Sequence, residues 1–187
     1  MKKVVLALAA FAASILSTGA MAQAYVGGSV GQGHSDSNCS GVATCDKNGT
    51  SYKVFAGYGF DHGVSIEGGY MYFGKAKASD FSGVALDSEA GGPNIGVALN
   101  VPVGTSGFGL GARAGIVSLK TKVTGSVVGF GSASESDTKT QGYYGVGASY
   151  SFTKNVRMDL GVDFSKAEFG GQKSDLRMGN VGMTYTF

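Results

Sequence analysis

Few side chains in this sequence are equipped for chemistry. Lys53, Glu67, Arg113, Asp159 and Asp163 are charges set singly among glycine and apolar residues. His34-Ser35-Asp36-Ser37 gathers a base, a nucleophile and an acid in one stretch, and His62 is the second of two histidines. Hydrolysis needs the base held beside the nucleophile by a third group, and adjacency in sequence does not supply that. Cys39 and Cys45 lie close together in a polar stretch, with no His or Cys set at zinc spacing around them. Gly109-Leu-Gly111-Ala-Arg-Ala114 has the spacing of a dinucleotide fingerprint. That motif works only between a strand and a helix, and here it lies inside an alternating stretch, so it is read as strand.

The elements that must position these residues are legible as alternation with a period of two. Eight segments show it: 24–30, 52–60, 66–72, 94–101, 109–116, 143–152, 157–164 and 180–187. In the second, Tyr52, Val54, Ala56, Tyr58 and Phe60 alternate with Lys53, Phe55, Gly57 and Gly59. In the seventh, Met158, Leu160, Val162 and Phe164 alternate with Arg157, Asp159, Gly161 and Asp163. One face of each segment is apolar; the other is polar or glycine. The charged candidates therefore all fall on the second face.

The first residues read as an address. Lys2-Lys3 precedes an apolar run from Val4 to Leu16, and Ala20-Met21-Ala22 presents small residues at Ala20 and Ala22, where a signal peptidase reads. The run is too short and alanine-rich for a spanning helix. Residues 1–22 are thus expected to be a signal peptide and residues 23–187 one domain. The first 22 residues hold two of the 15 basic residues and none of the 13 acidic ones, so the exported part is formally neutral. A neutral chain without a clustered basic face is not expected to bind nucleic acid. Export implies an oxidising compartment, so Cys39 and Cys45 are expected to form a disulfide closing a small loop.

Three further features separate a membrane barrel from a soluble sandwich, which also alternates. Short connections at 61–63, 102–107 and 153–155 take turns with long polar ones at 32–50, 75–92, 122–140 and 165–175. Aromatic residues on the apolar faces gather near segment ends: Phe60, Tyr150, Phe152, Tyr185 and Phe187 on the short-turn side, Tyr52, Tyr70, Tyr72, Tyr144 and Phe164 on the long-loop side. This is the double girdle of a membrane-spanning barrel. The sequence also ends on an alternating segment, Met183-Thr-Tyr185-Thr-Phe187, whose open edge a closed barrel would remove. The expected fold is all-β: an eight-stranded antiparallel up-and-down transmembrane β-barrel.

Ala24-Tyr-Val-Gly-Gly-Ser-Val-Gly31, Ile66-Glu-Gly-Gly-Tyr70, Gly111-Ala-Arg-Ala-Gly115 and Val181-Gly-Met-Thr-Tyr-Thr-Phe187 carry a resemblance. Over residues 23–187 the chain resembles the OmpA-like transmembrane domain and its small opacity-type outer-membrane relatives. The resemblance implies outer-membrane localisation, contact with lipid and lipopolysaccharide, and a monomer. It implies a final strand, with Met183, Tyr185 and Phe187, that is read by the barrel-assembly machinery. OmpA itself carries a peptidoglycan-binding domain after the barrel; this sequence has none, so cell-wall tethering is not carried over.

Eight strands enclose a space just wide enough for side chains. Charges there must be paired, so an ion-pair and hydrogen-bond cluster is expected around Glu67 and Arg113, with Lys53 and Asp159 as its additional members; Asp163 is the remaining charge of the inward polar set, which also holds Asn100, Tyr143 and Ser149. No enzyme activity and no cofactor are expected. The expected role is structural, in envelope integrity, or interactive, with a host or surface ligand met by the loops. A narrow pore is the alternative, and a lipid A-modifying enzyme a distant one.

Overall fold

The computed structural model describes residues 23–36, 44–79, 84–127, 131–169 and 172–187. The leader with Ala20 and Ala22, and also Cys39, lie outside the described residues. The strands are β1 (Gln23–Ser35), β2 (Thr44–Asp46), β3 (Asn48–Gly59), β4 (Val64–Ser79), β5 (Val84–Pro102), β6 (Phe108–Val127), β7 (Gly131–Ser151), β8 (Val156–Phe169) and β9 (Gln172–Thr186). Eight long strands pair in the order β4-β3-β1-β9-β8-β7-β6-β5, and β5 pairs back onto β4. All these ladders are antiparallel, so the sheet closes on itself. Short β2 pairs with the far end of β4, from Thr44↔Ser79 to Asp46↔Lys77.

Closure joins the first and last long strands. Tyr25↔Thr186 to Ser35↔Leu176 form a continuous ladder, and the Phe187 amide donates to the Ala24 carbonyl at 3.0 Å. No edge is left where the terminal strands meet, as a bilayer requires, because an unpaired backbone group in hydrocarbon is costly. The side-chain parity follows the alternation. Val54, Ile95, Val97, Leu110, Val146 and Leu160 point out and are exposed, the two leucines at 61%. A belt of exposed aliphatic side chains on every one of the eight long strands is a surface made for lipid, not water. Stacked, tilted or edge-on aromatic pairs border it: Tyr52–Tyr72 and Tyr144–Phe164 on one rim, Phe108–Tyr150 and Tyr185–Phe187 on the other.

The short connections are tight turns. The 61–63 connection is a 3-10 turn in which His62 and Gly63 both take positive φ, at 64° and 78°. On the other rim the strands run on where loops were expected. Hairpin β6–β7 stays paired as far as Val127↔Gly131, and β4–β5 as far as Ser79↔Ala85. The expected polar loops are therefore largely two-stranded ribbons. Their residues carry no continuous face of large apolar side chains, so hydrophobic alternation stops at the membrane while backbone pairing does not. On β4 the register shifts between Tyr72↔Gly91 and Gly74↔Ala90, leaving Phe73 as the extra residue of a bulge; Gly74 there has φ of 101°.

The interior also departs from the expected uniform polarity. Met71, Phe73, Val117, Leu119, Leu176 and Met178 point inward and pack together toward the loop side, Met71, Val117 and Met178 being fully buried. These residues share the inward parity of Glu67, Arg113 and Asn180 on their strands. The lumen thus has two levels, polar toward the turns and apolar toward the loops.

Candidate functional site

The polar level is built from single residues on separate strands, each placed inward by its parity. Lys53 on β3 reaches across to Asp163 on β8, Nζ to Oδ2, at 2.7 Å, with both side chains 3% exposed. Asp163 also accepts from Asn180 Nδ2 of β9 at 2.9 Å, and Arg113 Nε of β6 stands 3.6 Å from its other oxygen. Glu67 on β4 is 3.9 Å from Arg113 Nη1 and accepts from the Tyr25 hydroxyl of β1 at 2.8 Å. Tyr25 is also 2.8 Å from Ser65 Oγ. Both cations stand over the Phe55 ring, Lys53 Nζ 5.6 Å and the Arg113 guanidinium carbon 5.9 Å from its centroid, a geometry that attracts positive charge to an aromatic face.

Four of the five charged residues singled out in the sequence thus meet in one network: Lys53, Glu67, Arg113 and Asp163. Its shortest link is Lys53–Asp163 rather than Glu67–Arg113. Asp159 is not in this group. It pairs nearer the turns, with Arg157 Nε at 2.9 Å and the Thr184 hydroxyl at 2.6 Å. Of the polar residues, Tyr143 accepts from Asn94 Nδ2 and Ser149 Oγ from Asn100 Nδ2, each at 3.1 Å. Tyr25, Asn180 and Thr184 were not singled out, although their parity is inward.

Glycine makes the room. A Cβ on Gly145 would run into the Asp163 carboxylate and touch the Arg113 stem at 3.1 Å. This is one place where the abundance of glycine has a definite cause: the strand next to the hub must stay bare. Below the network, a cavity of about 230 Å³ opens at the turn side, lined in part by Glu67, Asn100, Arg113, Arg157 and Asp159. Above the apolar level, a second cavity of about 420 Å³ opens at the loop side, with Phe73, Ala90 and Leu176 in its lining. The buried residues between keep the two apart.

At the loop rim, His34 Nδ1 is 2.8 Å from Asn48 Oδ1 and Nε2 is 3.1 Å from Asp36 Oδ1. Both ring nitrogens therefore face groups other than the Ser35 hydroxyl, which is 3.1 Å from Ser174 Oγ. Arg177 Nη2 donates to Asp36 Oδ2 at 2.6 Å. This hydrogen bond, with the Arg177 charge and His34 beside it, outweighs the desolvation that opposes it and holds the Asp36 carboxyl below the usual range. The arrangement staples the ends of β1 and β9 and does not form a nucleophile–base pair. His62 sits in the tight turn on the opposite rim.

The family model for the outer membrane protein beta-barrel domain matches residues 4–187. The chain belongs to that family. Similar solved structures agree on the fold. Neisserial surface protein A superposes with a TM-score of 0.64 at 15% identity, over 90% of this chain and all of that one. Ail of Yersinia pestis gives 0.58 at 19% identity, over 89% of this chain and all of that one. The N-terminal barrel of Pseudomonas aeruginosa OprF gives 0.56 at 14% identity, over 89% and 100%. No curated protein sequence matches. The barrel is an outer-membrane protein, and its exposed aliphatic belt faces lipid. At the last strand, Met183, Tyr185 and Phe187 are all on that outer face, 55%, 47% and 59% exposed.

Proposed function

We propose that this barrel is a structural and surface-contact protein: its body braces the outer membrane, and its loop-side ribbons meet a partner outside the cell. The observation that carries this reading is the height of the β6–β7 ribbon. From Ala114↔Tyr144, at the aromatic rim, it runs paired to Val127↔Gly131. At about 3.3 Å per residue that is roughly 40 Å of ribbon beyond the rim. Polar residues exposed on a rigid scaffold are where binding resides. The filled lumen supports the same reading, since a narrow pore needs an open path and this interior is packed at two levels.

Ail, the attachment invasion locus protein, has been seen with the heparin analogue sucrose octasulfate. Lys120, Lys122 and Lys139 are exposed on the β6–β7 ribbon here, so a sulfated polysaccharide is a reasonable first surface ligand to try. The same reading includes a monomer in lipid and lipopolysaccharide, a cut after Ala22, a Cys39–Cys45 disulfide, and capture of β9 by the barrel-assembly machinery through Met183, Tyr185 and Phe187. No catalytic role is included.

The test is a deletion strain complemented either with the full chain or with residues 123–135 replaced by Asn-Gly, which keeps Lys122↔Ser136 as the last pair. Both chains should restore detergent resistance. The full chain alone should restore host-cell binding, and the full chain carrying Lys120→Gln, Lys122→Gln and Lys139→Gln should lose heparin binding. Equal host-cell binding by the shortened chain would remove the contact role from the ribbon, and unchanged heparin binding by the triple variant would remove the sulfated ligand.

A further inference from the structure

The barrel wall is not continuous at the loop side. β7 pairs with β6 along its whole length, to Val127↔Gly131, but with β8 only from Tyr143↔Ser165 downward. β8 meanwhile follows β9 to Phe169↔Gln172. Between β7 residues 131–142 and β8 residues 166–169 there is no backbone ladder, so the wall splits. Two side-chain links cross near the base of the split: Ser165 Oγ to the Gly142 carbonyl at 3.1 Å and Gln141 Nε2 to Glu168 at 3.4 Å. The split starts at the outer aromatic rim, where Tyr144 and Phe164 stack with ring centroids 5.1 Å apart.

A cavity of about 630 Å³ occupies the split, and its lining crosses the wall. Tyr144 and Phe164 contribute from the lipid-facing side; Tyr143 and Leu176 contribute from the lumen. Leu176 also lines the loop-side cavity of the lumen, together with Phe73, Ala90 and Ala167. Leu176, itself buried, therefore stands between the two spaces and lines both. Downward travel from there is stopped by Met71, Val117, Leu119 and Met178, none more than 1% exposed.

We propose that these spaces form a side exit, which takes small, uncharged, mainly apolar molecules from the loop-side lumen through the β7–β8 split into the outer leaflet. The ligand class follows from the lining. Its apolar surface is Phe73, Tyr143, Leu176 and the Tyr144–Phe164 pair. The charges around the split cancel locally, Lys166 with Asp175 at 3.7 Å and Arg177 with Asp36 at 2.6 Å. Glu168, at the crossing, disfavours an anion. A sealed floor with a side closed only by Leu176 and its neighbours passes such a molecule into lipid when Leu176 swings aside, without admitting water-soluble solutes to the turn side, so the route is compatible with a non-conducting barrel.

The test blocks the split without straining the fold. A Cβ on Gly142 meets nothing nearer than the Gly115 carbonyl at 4.0 Å, and one on Gly179, on the lipid-facing side of β9, meets nothing within 4 Å. Entry of the neutral apolar dye N-phenyl-1-naphthylamine into intact cells is measured for the deletion strain carrying an empty vector, the full chain, Gly142→Trp or Gly179→Trp, with folding of each checked by heat-modifiable gel mobility. The full chain and Gly179→Trp should speed entry at least twofold over the empty vector, and Gly142→Trp should return it to the empty-vector rate. Equal rates for Gly142→Trp and the full chain, or no effect of the full chain, would overturn the proposal. A second measurement needs no variant. On the methyl-labelled wild-type barrel in lipid nanodiscs, 1-decanol should shift the Leu176 and Ala167 signals saturably, and unmoved signals would overturn the site.

Discussion

Lys53 and Asp163 are 110 residues apart in the chain, and their charged ends are 2.7 Å apart in the middle of the barrel. Both side chains are almost completely shielded, and Asp163 gathers Arg113 and Asn180 on its remaining surface. The pair ties β3 to β8 across the lumen, strands that are not neighbours in the wall. Removing one partner of a buried pair leaves an uncompensated charge, which costs more than the pair contributes.

Asp163→Asn should therefore destabilise the folded barrel by about 3–5 kcal/mol, because Lys53 and Arg113 would face each other without their shared anion. Lys53→Met combined with Asp163→Asn should recover most of the loss by removing the stranded ammonium. Urea unfolding in lipid vesicles, followed by tyrosine fluorescence, measures both. Equal stability of the single and double variants would mean the pair is not coupled.

At the loop rim the relation between Asp36 and Arg177 sets a pH dependence. The Asp36 carboxyl is held low chiefly by its hydrogen bond from Arg177. A carboxyl with a lowered folded-state pKa adds stability above its unfolded value and loses it as pH falls through the lowered value. The β1–β9 staple should thus persist through the ordinary aspartate range and open only below it. Carboxyl-carbon NMR titration of Asp36 checks this, and Arg177→Gln should bring the midpoint back up toward the ordinary value. An unchanged midpoint in that variant would assign the shift to something other than Arg177.

The parity of each strand was legible because lipid demands an unbroken apolar face: Val54, Val97, Leu110 and Leu160 could be placed outside from alternation alone. Depth was not legible. Asp159 and Asp163 share a strand and a face, but which of them meets Lys53 depends on the stagger of β3, β1, β9 and β8 around the barrel, and alternation carries no stagger. The apolar level was hidden for a different reason. Met71 and Leu119 follow Glu67 and Arg113 at even spacing, so they were legible as inward; the expectation that inward means polar or glycine set them aside. The ribbons were missed because Lys75–Ser79 carries nothing larger than alanine on its apolar face and Ser132–Thr140 is almost wholly polar, and pairing through the backbone needs no large apolar face. The β7–β8 split is a property of ladder length and leaves no mark in composition.

The central claim is that the lipid-facing wall encloses a lumen closed by side chains at two levels, Lys53–Asp163 with its partners and Met71–Leu119–Met178. Planar-bilayer recording of the purified, folded barrel tests it most directly. The account predicts no steady ionic current across the membrane at moderate voltage. Reproducible, long-lived, ohmic current steps from the wild-type protein would contradict it.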